Sequence, residues 1–460
     1  MLRLHALGLL PAGYDPGDRT PPMAEVAAAL DHAAQTDAGD VNPLIQSWRA
    51  RFAEEYTRPT WSEGDAALRV TRSMLAAGAA RLEGGALAGI GYDPATDWTG
   101  ARAQPDGSVL LGIGDAAFSL GPRISVAYAP RAGARDPQPF DAYMNGLVGP
   151  LDLWLGRRAL GYGAASSGLI LSGELGFTGG GLRITPPVTL PGFLRALGPV
   201  GLQLFASRID NVIWGGDEDR RTEPWFWAMR ATSAPHPRLA LGVARGVMFG
   251  GAGNSPATLR NIAYMLIGKH AGEQGEFDAQ LVSLDARWAV PFRPLPLALY
   301  AEFGADDSAG ALFDVPGYVL GLELPALPRL PQLALGVEHA AFARSCCGNT
   351  IWHRNWFFRG GWTDDGRPLG HGLAGHGSEW RARAAADLAA ATLRLRADLF
   401  TRDRGDENLF APERAGRSTG AGLSAWLRAA SHLELEAHLT LEQGPDWRER
   451  HAAALLRWLF

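Results

Sequence analysis

No stretch of this 460-residue chain approaches the ~18 consecutive apolar residues that a membrane helix requires, although hydrophobic residues make up 47% of it. Any membrane span must therefore be built from strands. Basic charge is almost entirely arginine, Lys269 being the only lysine, a bias that genome base composition can produce without a functional reason. The two cysteines, Cys346 and Cys347, are adjacent and cannot bridge without a strained ring, so neither a disulfide framework nor a zinc site is readable. Net charge is −5 with a pI near 6.1, which argues against a nucleic-acid partner. Met1–Leu10 has too short an apolar core, and no cleavage site, for a signal peptide. An exported barrel is thus expected either as the mature chain or with a start about 20 residues further upstream.

Catalytic and cofactor motifs are equally scarce. Gly416-Arg-Ser-Thr-Gly420 has the spacing of a nucleophile elbow but precedes an alternating strand instead of joining strand to helix. His371, His376 and His353 share a glycine-rich loop without fixed helical spacing, and Asp217-Glu-Asp219 reads as a solvated acidic run, so no metal site is expected. No phosphate-cradling glycine loop sits between strand and helix. Nothing assembles nucleophile, base and orienting group, so neither enzyme nor cofactor is expected.

What is present is alternation. In His432–Glu442, Leu433, Leu435, Ala437, Leu439 and Leu441 face one way while His432, Glu434, Glu436, His438, Thr440 and Glu442 face the other. The chain ends on Ala452-Ala-Ala-Leu-Leu-Arg-Trp-Leu-Phe460, an apolar alternation closing on an aromatic. That ending alone suits a soluble sandwich as well as an outer-membrane barrel. The strand before it, greasy on one side and wet on the other, favours a wall between lipid and a watery lumen. The 58 glycines, 31 prolines and 15 tryptophans suit many short strands, turns and interfacial rings.

Residues 1–60 differ in texture. A short helix at Leu2–Leu10, a second from Thr20-Pro-Pro-Met-Ala-Glu25 to about Ala34, and a third opened by Asn42-Pro43 with Leu44, Ile45, Trp48 and Phe52 on one stripe form a helical module. From about Leu68 the period becomes two, with early strands expected at Arg69–Leu75, Gly84–Tyr92, Ser108–Ile113, Phe118–Ala129, Leu151–Leu160 and Gly181–Pro186. The later half carries strands from Gly198 to Phe460. About eighteen result in all, estimated from the two-residue period. Connections segregate by length: short turns such as Ala234–Pro237, Pro291–Pro294, Leu327–Pro331 and Ala389–Ala391 alternate with long ones at 209–222, 249–275, 304–316, 345–378, 401–418 and 442–450. Outer-membrane barrels do this, with short periplasmic turns and long extracellular loops. The expected fold is all-β: a large antiparallel transmembrane β-barrel over residues 61–460, with a small periplasmic helical module over 1–60.

Several segments carry a resemblance. Leu153-Trp-Leu-Gly-Arg-Arg-Ala-Leu-Gly-Tyr-Gly163 leads into Ser167-Gly-Leu-Ile-Leu-Ser172, followed by Leu197–Phe205 with Arg208-Ile-Asp210, Arg245-Gly-Val-Met-Phe-Gly-Gly251, Leu284–Trp288 and Gly366-Arg-Pro-Leu-Gly-His371. In order and spacing they resemble the Wzi capsule-assembly family over residues 150–375. The resemblance implies an eighteen-stranded outer-membrane barrel of a Gram-negative-type bacterium, a periplasmic helical bundle, and lectin-like, non-catalytic binding of capsular or other surface polysaccharide. Outer-membrane lipid and polysaccharide-export machinery are the further partners expected. Where the family often has a tryptophan-rich Gly-Pro-Gly turn, this chain has Arg158-Ala-Leu-Gly161 and Gly163-Ala-Ala, a departure that bears on the identity of the glycan more than on the fold.

Sugar recognition needs flat apolar faces beside groups that hold hydroxyls and carboxylates. The expected surface is Trp352, Arg354, Trp356, Arg359, Trp362, Arg367 and His371, in the longest outward connection. The same aromatics serve equally as an interfacial girdle or a packed plug. Two other functions stay open: a porin-like or substrate-specific channel, and a surface hydrolase.

Overall fold

In the computed structural model the described residues are most of 2–459; for 52–149 and 450–459 only strand backbones are described, and side chains are described chiefly over 2–51 and 150–449. Eighteen strands form a closed antiparallel wall. They are β1 (Leu68–Leu82), β2 (Asp115–Leu120), β3 (Ile124–Ala132), β4 (Pro137–Val148), β5 (Leu151–Gly161), β6 (Ser172–Ile184), β7 (Pro199–Arg208), β8 (Trp225–His236) and β9 (Leu239–Phe249), then β10 (Asp278–Val290), β11 (Leu297–Asp306), β12 (Pro316–Leu324), β13 (Leu333–Phe342), β14 (Gly377–Leu388), β15 (Leu393–Arg404), β16 (Gly416–Ala430), β17 (Leu433–Gln443) and β18 (Arg448–Leu459). A nineteenth strand of the sheet, Val188–Thr189, only pairs with the start of β7. The seam is closed by β1 against β18, with Met74 opposite Leu459 and Leu82 opposite His451. Closure leaves no free edge, so each strand has a backbone partner on both sides, as lipid demands.

The two-residue period sorts the side chains. On β15 and β17, Leu399, Leu435, Leu439 and Leu441 are exposed on the outer face, while Asp398, Arg404, Glu434 and Glu442 are buried on the inner one. Trp225 and Trp380 stand exposed near the end bearing the long connections, and Trp288 and Phe292 near the other. An apolar belt edged by aromatic rings is the outside of a membrane-spanning barrel.

The later strands fall within a few residues of their expected positions. The early ones differ. Phe118–Ala129 is two strands, β2 and β3, and β4 falls where no strand was expected. Ala88–Asp93 pairs with Trp98–Ala103 as a hairpin apart from the wall. Ser108–Ile113 lies outside the described residues, as do the boundary expected near residue 60 and Phe460. The last long connection shortens to a turn at 444–447, because β17 and β18 run further than their apolar alternation.

Helices α1 (Leu2–Ala6), α2 (Met23–Gln35) and α3 (Asn42–Arg51) gather at the short-connection end. Leu4, Leu9 and Leu10 pack with Ala29, Leu30 and Ala33 of α2 and Leu44, Ile45 and Trp48 of α3, spacings that put one stripe of each helix inward. The same cluster takes in Ala391 of the β14–β15 turn, whose residues Ala389, Ala390 and Ala391 all have positive φ (49°, 53° and 61°). The chain is fastened to the wall by charge as well: Arg3 pairs with Asp387 at 2.5 Å and donates to Pro331 O at 2.9 Å, and Trp48 Nε1 donates to the same carboxylate at 3.2 Å. Asp15 reaches Arg230 inside the barrel at 2.7 Å, and Arg230 also holds Asp285.

Candidate functional site

The long-connection half of the lumen is packed solid by two inward-folded segments. Residues 162–171, between β5 and β6, bury Tyr162, Leu169, Ile170 and Leu171, and residues 352–373, between β13 and β14, bury Trp352, Phe358, Trp362, Leu369 and Leu373. They hold each other through backbone: Ser172 N donates to Leu369 O at 2.8 Å and Trp362 Nε1 to Ile170 O at 3.0 Å. The wall holds both. Asp306 accepts His353 N at 2.7 Å, Glu302 accepts Leu169 N at 3.0 Å, and Glu338 accepts Ser166 N at 2.8 Å. These carboxylates satisfy loop amides that the packed interior takes out of water. Tyr300 adds its hydroxyl to Glu338 at 2.9 Å.

Glycines in the wall make room for the rings. A Cβ at Gly246 would stand 2.7 Å from Ile170 and 2.9 Å from Trp362, and one at Gly304 would stand 3.0 Å from both Leu169 and Trp352. Trp352 lies 5.3 Å from the ring of Phe342, and Trp362 meets Phe226 edge-on at 5.4 Å.

The residues expected to touch sugar therefore separate. Trp352, Arg354, Trp362 and His371 are buried; Arg359 and Arg367 are exposed; Trp356 lies outside the described residues. Arg354 donates to Glu407 O at 2.6 Å and Asn408 O at 2.9 Å, fastening this loop to the β15–β16 connection. Burial pulls its guanidinium down to about 10 against the opposing pull of Glu407 and Asp406. His371 accepts from Leu373 N at 3.2 Å and faces Phe342, while His353 donates to Leu169 O at 3.4 Å. Burial keeps both imidazoles neutral, His353 falling to about 3. Arg367 sits in a small hairpin, Thr363–Asp364 against Arg367–Pro368.

The three loop histidines do not converge as a set. His376 instead approaches Asp406 and Glu407, with one ligand atom of each within 4.8 Å of the others. The residues Asp217–Asp219 lie outside the described ones. Gly416–Gly420 is the beginning of β16, and the Ser418 hydroxyl donates to Glu442 at 2.7 Å inside the barrel, so the strand–turn–helix of a nucleophile elbow is not formed.

Sequence reasoning missed residues 162–171 as half of the plug, and the carboxylates of Glu302, Asp306 and Glu338 that fasten it. A signal existed: acids at alternate positions of otherwise apolar strands. Asn211 was missed too; it donates to Gly361 O at 2.8 Å and accepts from Gly360 N at 3.1 Å, stitching the β7–β8 connection to the same loop.

A closed β-wall with an apolar outer belt, helices across one mouth and a packed plug beneath the other defines a membrane-spanning β-barrel blocked from within. The chain belongs to the capsule assembly protein Wzi family, whose profile matches residues 97–450. Among solved structures it is similar to Wzi of Escherichia coli, described as an outer-membrane protein involved in group 1 capsule assembly and a carbohydrate-binding β-barrel, at 18% identity and TM-score 0.71 over 99% of this chain and 97% of that one. OccK5 (OpdH) and OpdQ of Pseudomonas aeruginosa are more distant. OccK5 has TM-score 0.51 and 9% identity over 85% of this chain and 97% of its own; OpdQ has 0.50 and 10% over 85% and 98%. No curated protein sequence matches.

Proposed function

We propose that this chain is a non-catalytic outer-membrane protein that binds capsular polysaccharide at its extracellular face and helps assemble or anchor the capsule. Family membership supports the role, and one observation carries it over a channel: the long-connection half of the lumen is blocked by hydrogen-bonded, apolar loop segments instead of being lined for passage. A blocked barrel offers a surface. On that surface we assign polymer contact to Arg359 and Arg367, which are exposed, together with Trp356, and give the buried Trp352, Arg354, Trp362 and His371 the task of holding the loop in shape. Guanidinium groups pair with uronate or phosphate in a planar fork, and modest contacts repeated along a polymer add up. The helical module over residues 1–60 faces the periplasm in this reading, where export machinery can meet it.

The test is binding of purified polysaccharide from the native capsule to the R359A/R367A double variant, beside capsule retention on cells. Binding should weaken in the variant, and the parent's binding should weaken with salt, while heat-modifiable gel mobility stays unchanged. Equal binding by a folded variant would refute the assignment.

A further inference from the structure

The connection between β9 and β10 carries α4 (Leu259–Leu266), and this helix lies outside the barrel. On β8 and β9 the inward positions Phe226, Ala228, Ala244 and Met248 belong to the lumen core, so the alternate positions Trp227, Met229, Val247 and Phe249 face outward. It is against these that Met265 and Ile262 pack, with Trp227 Nε1 3.4 Å from Met265 Sδ.

Beneath α4 the outer wall hides polar groups. Arg245 and Gln280 occupy outward positions and hydrogen-bond to each other; Gln280 also bonds Asp278, and both Gln280 and Asp278 are buried. Arg245 donates to Leu266 O at 3.1 Å and to Met265 O, satisfying the last carbonyls of α4, and lies 5.4 Å over the Trp227 ring. Bare to hydrocarbon, this network would be strongly unfavourable. The helix covers it.

At 100° per residue α4 then has three sides. One, Met265 with Ile262, meets the wall. The next, Leu266, Leu259 and Ala263, is apolar yet open, Leu259 being 88% and Leu266 57% exposed. The last holds Arg260 over Tyr264 at 5.3 Å. A helix turned to water would not set its leucines there. The open apolar side instead adds to the lipid-facing belt, to which the same two strands contribute exposed Trp225 and Leu241.

We propose that α4 is an interfacial helix lying in the lipid–water boundary on the long-connection side, with Leu259, Ala263 and Leu266 among the acyl chains of membrane lipid and Arg260 and Tyr264 at the headgroups. The barrel thus carries an external lipid-binding collar, whether or not the polysaccharide assignment holds.

The experiment places a single cysteine at Leu259, Leu266 or Arg359 in a full-length C346S/C347S background. Each is labelled with an environment-sensitive fluorophore and reconstituted at one protein per phospholipid nanodisc, with heat-modifiability confirming the fold. Labels at 259 and 266 should emit to the blue of that at 359, and be quenched by lipid bearing a nitroxide near its headgroup but little by iodide. Two variants guard against one failing to fold. Water-like emission quenched by iodide overturns the proposal, as does emission shielded from both quenchers, which would place protein over the helix.

Discussion

Trp362 shows how much of the plug depends on single side chains. Its ring fills the space above Gly246 and its indole nitrogen holds Ile170 O. Trp362→Ala should therefore cost about 3–5 kcal/mol through the cavity it leaves, read as a lower midpoint in thermal unfolding of the detergent-solubilised barrel. Histidines give the same interior a pH dependence. His353 and, within α1, His5 are both held down to about 3 from an ordinary 6.5, chiefly by burial. A folded value below the unfolded one means the stabilisation is complete above about 6.5 and is lost as pH falls toward 3, at up to about 1.4 kcal/mol per pH unit for each group. Thermal stability should fall with acidification across that window, and less steeply in H353Q. A flat profile in the parent would contradict the neutral, buried imidazole. From sequence, Trp352 and Trp362 stood among exposed loop aromatics and equally among plug residues. Side-chain type could not decide, because the glycines that admit the rings, Gly246, Gly304 and Gly317, lie on other strands far along the chain.

Elements were legible where one period held. β17 was given whole by its leucines and glutamates, since one face meets lipid and the other the lumen. The early strands were less legible because small residues dominate them: Met74–Arg81 of β1 reads Met-Leu-Ala-Ala-Gly-Ala-Ala-Arg, with little polarity to alternate. Helix α4 went unread because its eight residues, about two turns inside a long connection, are too short a window for the helical period to stand out. At the other mouth, α1 depends on an ion pair. Arg3 and Asp387 are both buried, so Arg3→Ala leaves the carboxylate, among the described residues, with Arg394 at 3.5 Å as its charged partner, and removal of one member of such a pair costs about 3–5 kcal/mol. The expected outcome is a helical module that proteases cleave faster than in the parent while the barrel stays intact on gels. R3K should restore part of the protection.

At the scale of the whole molecule, plug and helical module leave a lumenal cavity of about 840 Å³ between them, reached by Arg3, Arg287, Arg383 and Arg396. Neither closure belongs to the wall itself. In planar bilayers the parent should show no steady open pore, and deletion of residues 2–35 alone should leave conductance low, because the packed loops still block the other half. A steady pore in the parent would favour the channel function instead. Sidedness is tested by tags: one inserted near Asp406, between β15 and β16, should be reached by antibody on intact cells, and one at Pro235, where β8 turns into β9, should not.

The seam between β1 and β18 joins Met74 to Leu459 and so links the first strand of the wall to its last. Its consequence is one of time. The last pairing cannot form until the final strand has been made and delivered, and contacts so distant in sequence are slow to find. Until then the barrel is an open, curved sheet with two unpaired edges, and the segments at 162–171 and 352–373 can settle against the inner face from the side. Once the seam shuts, Trp352 and Trp362 are enclosed by wall on every flank. A chain that closed first would have no lateral route left and would have to fold its plug inward through the mouth.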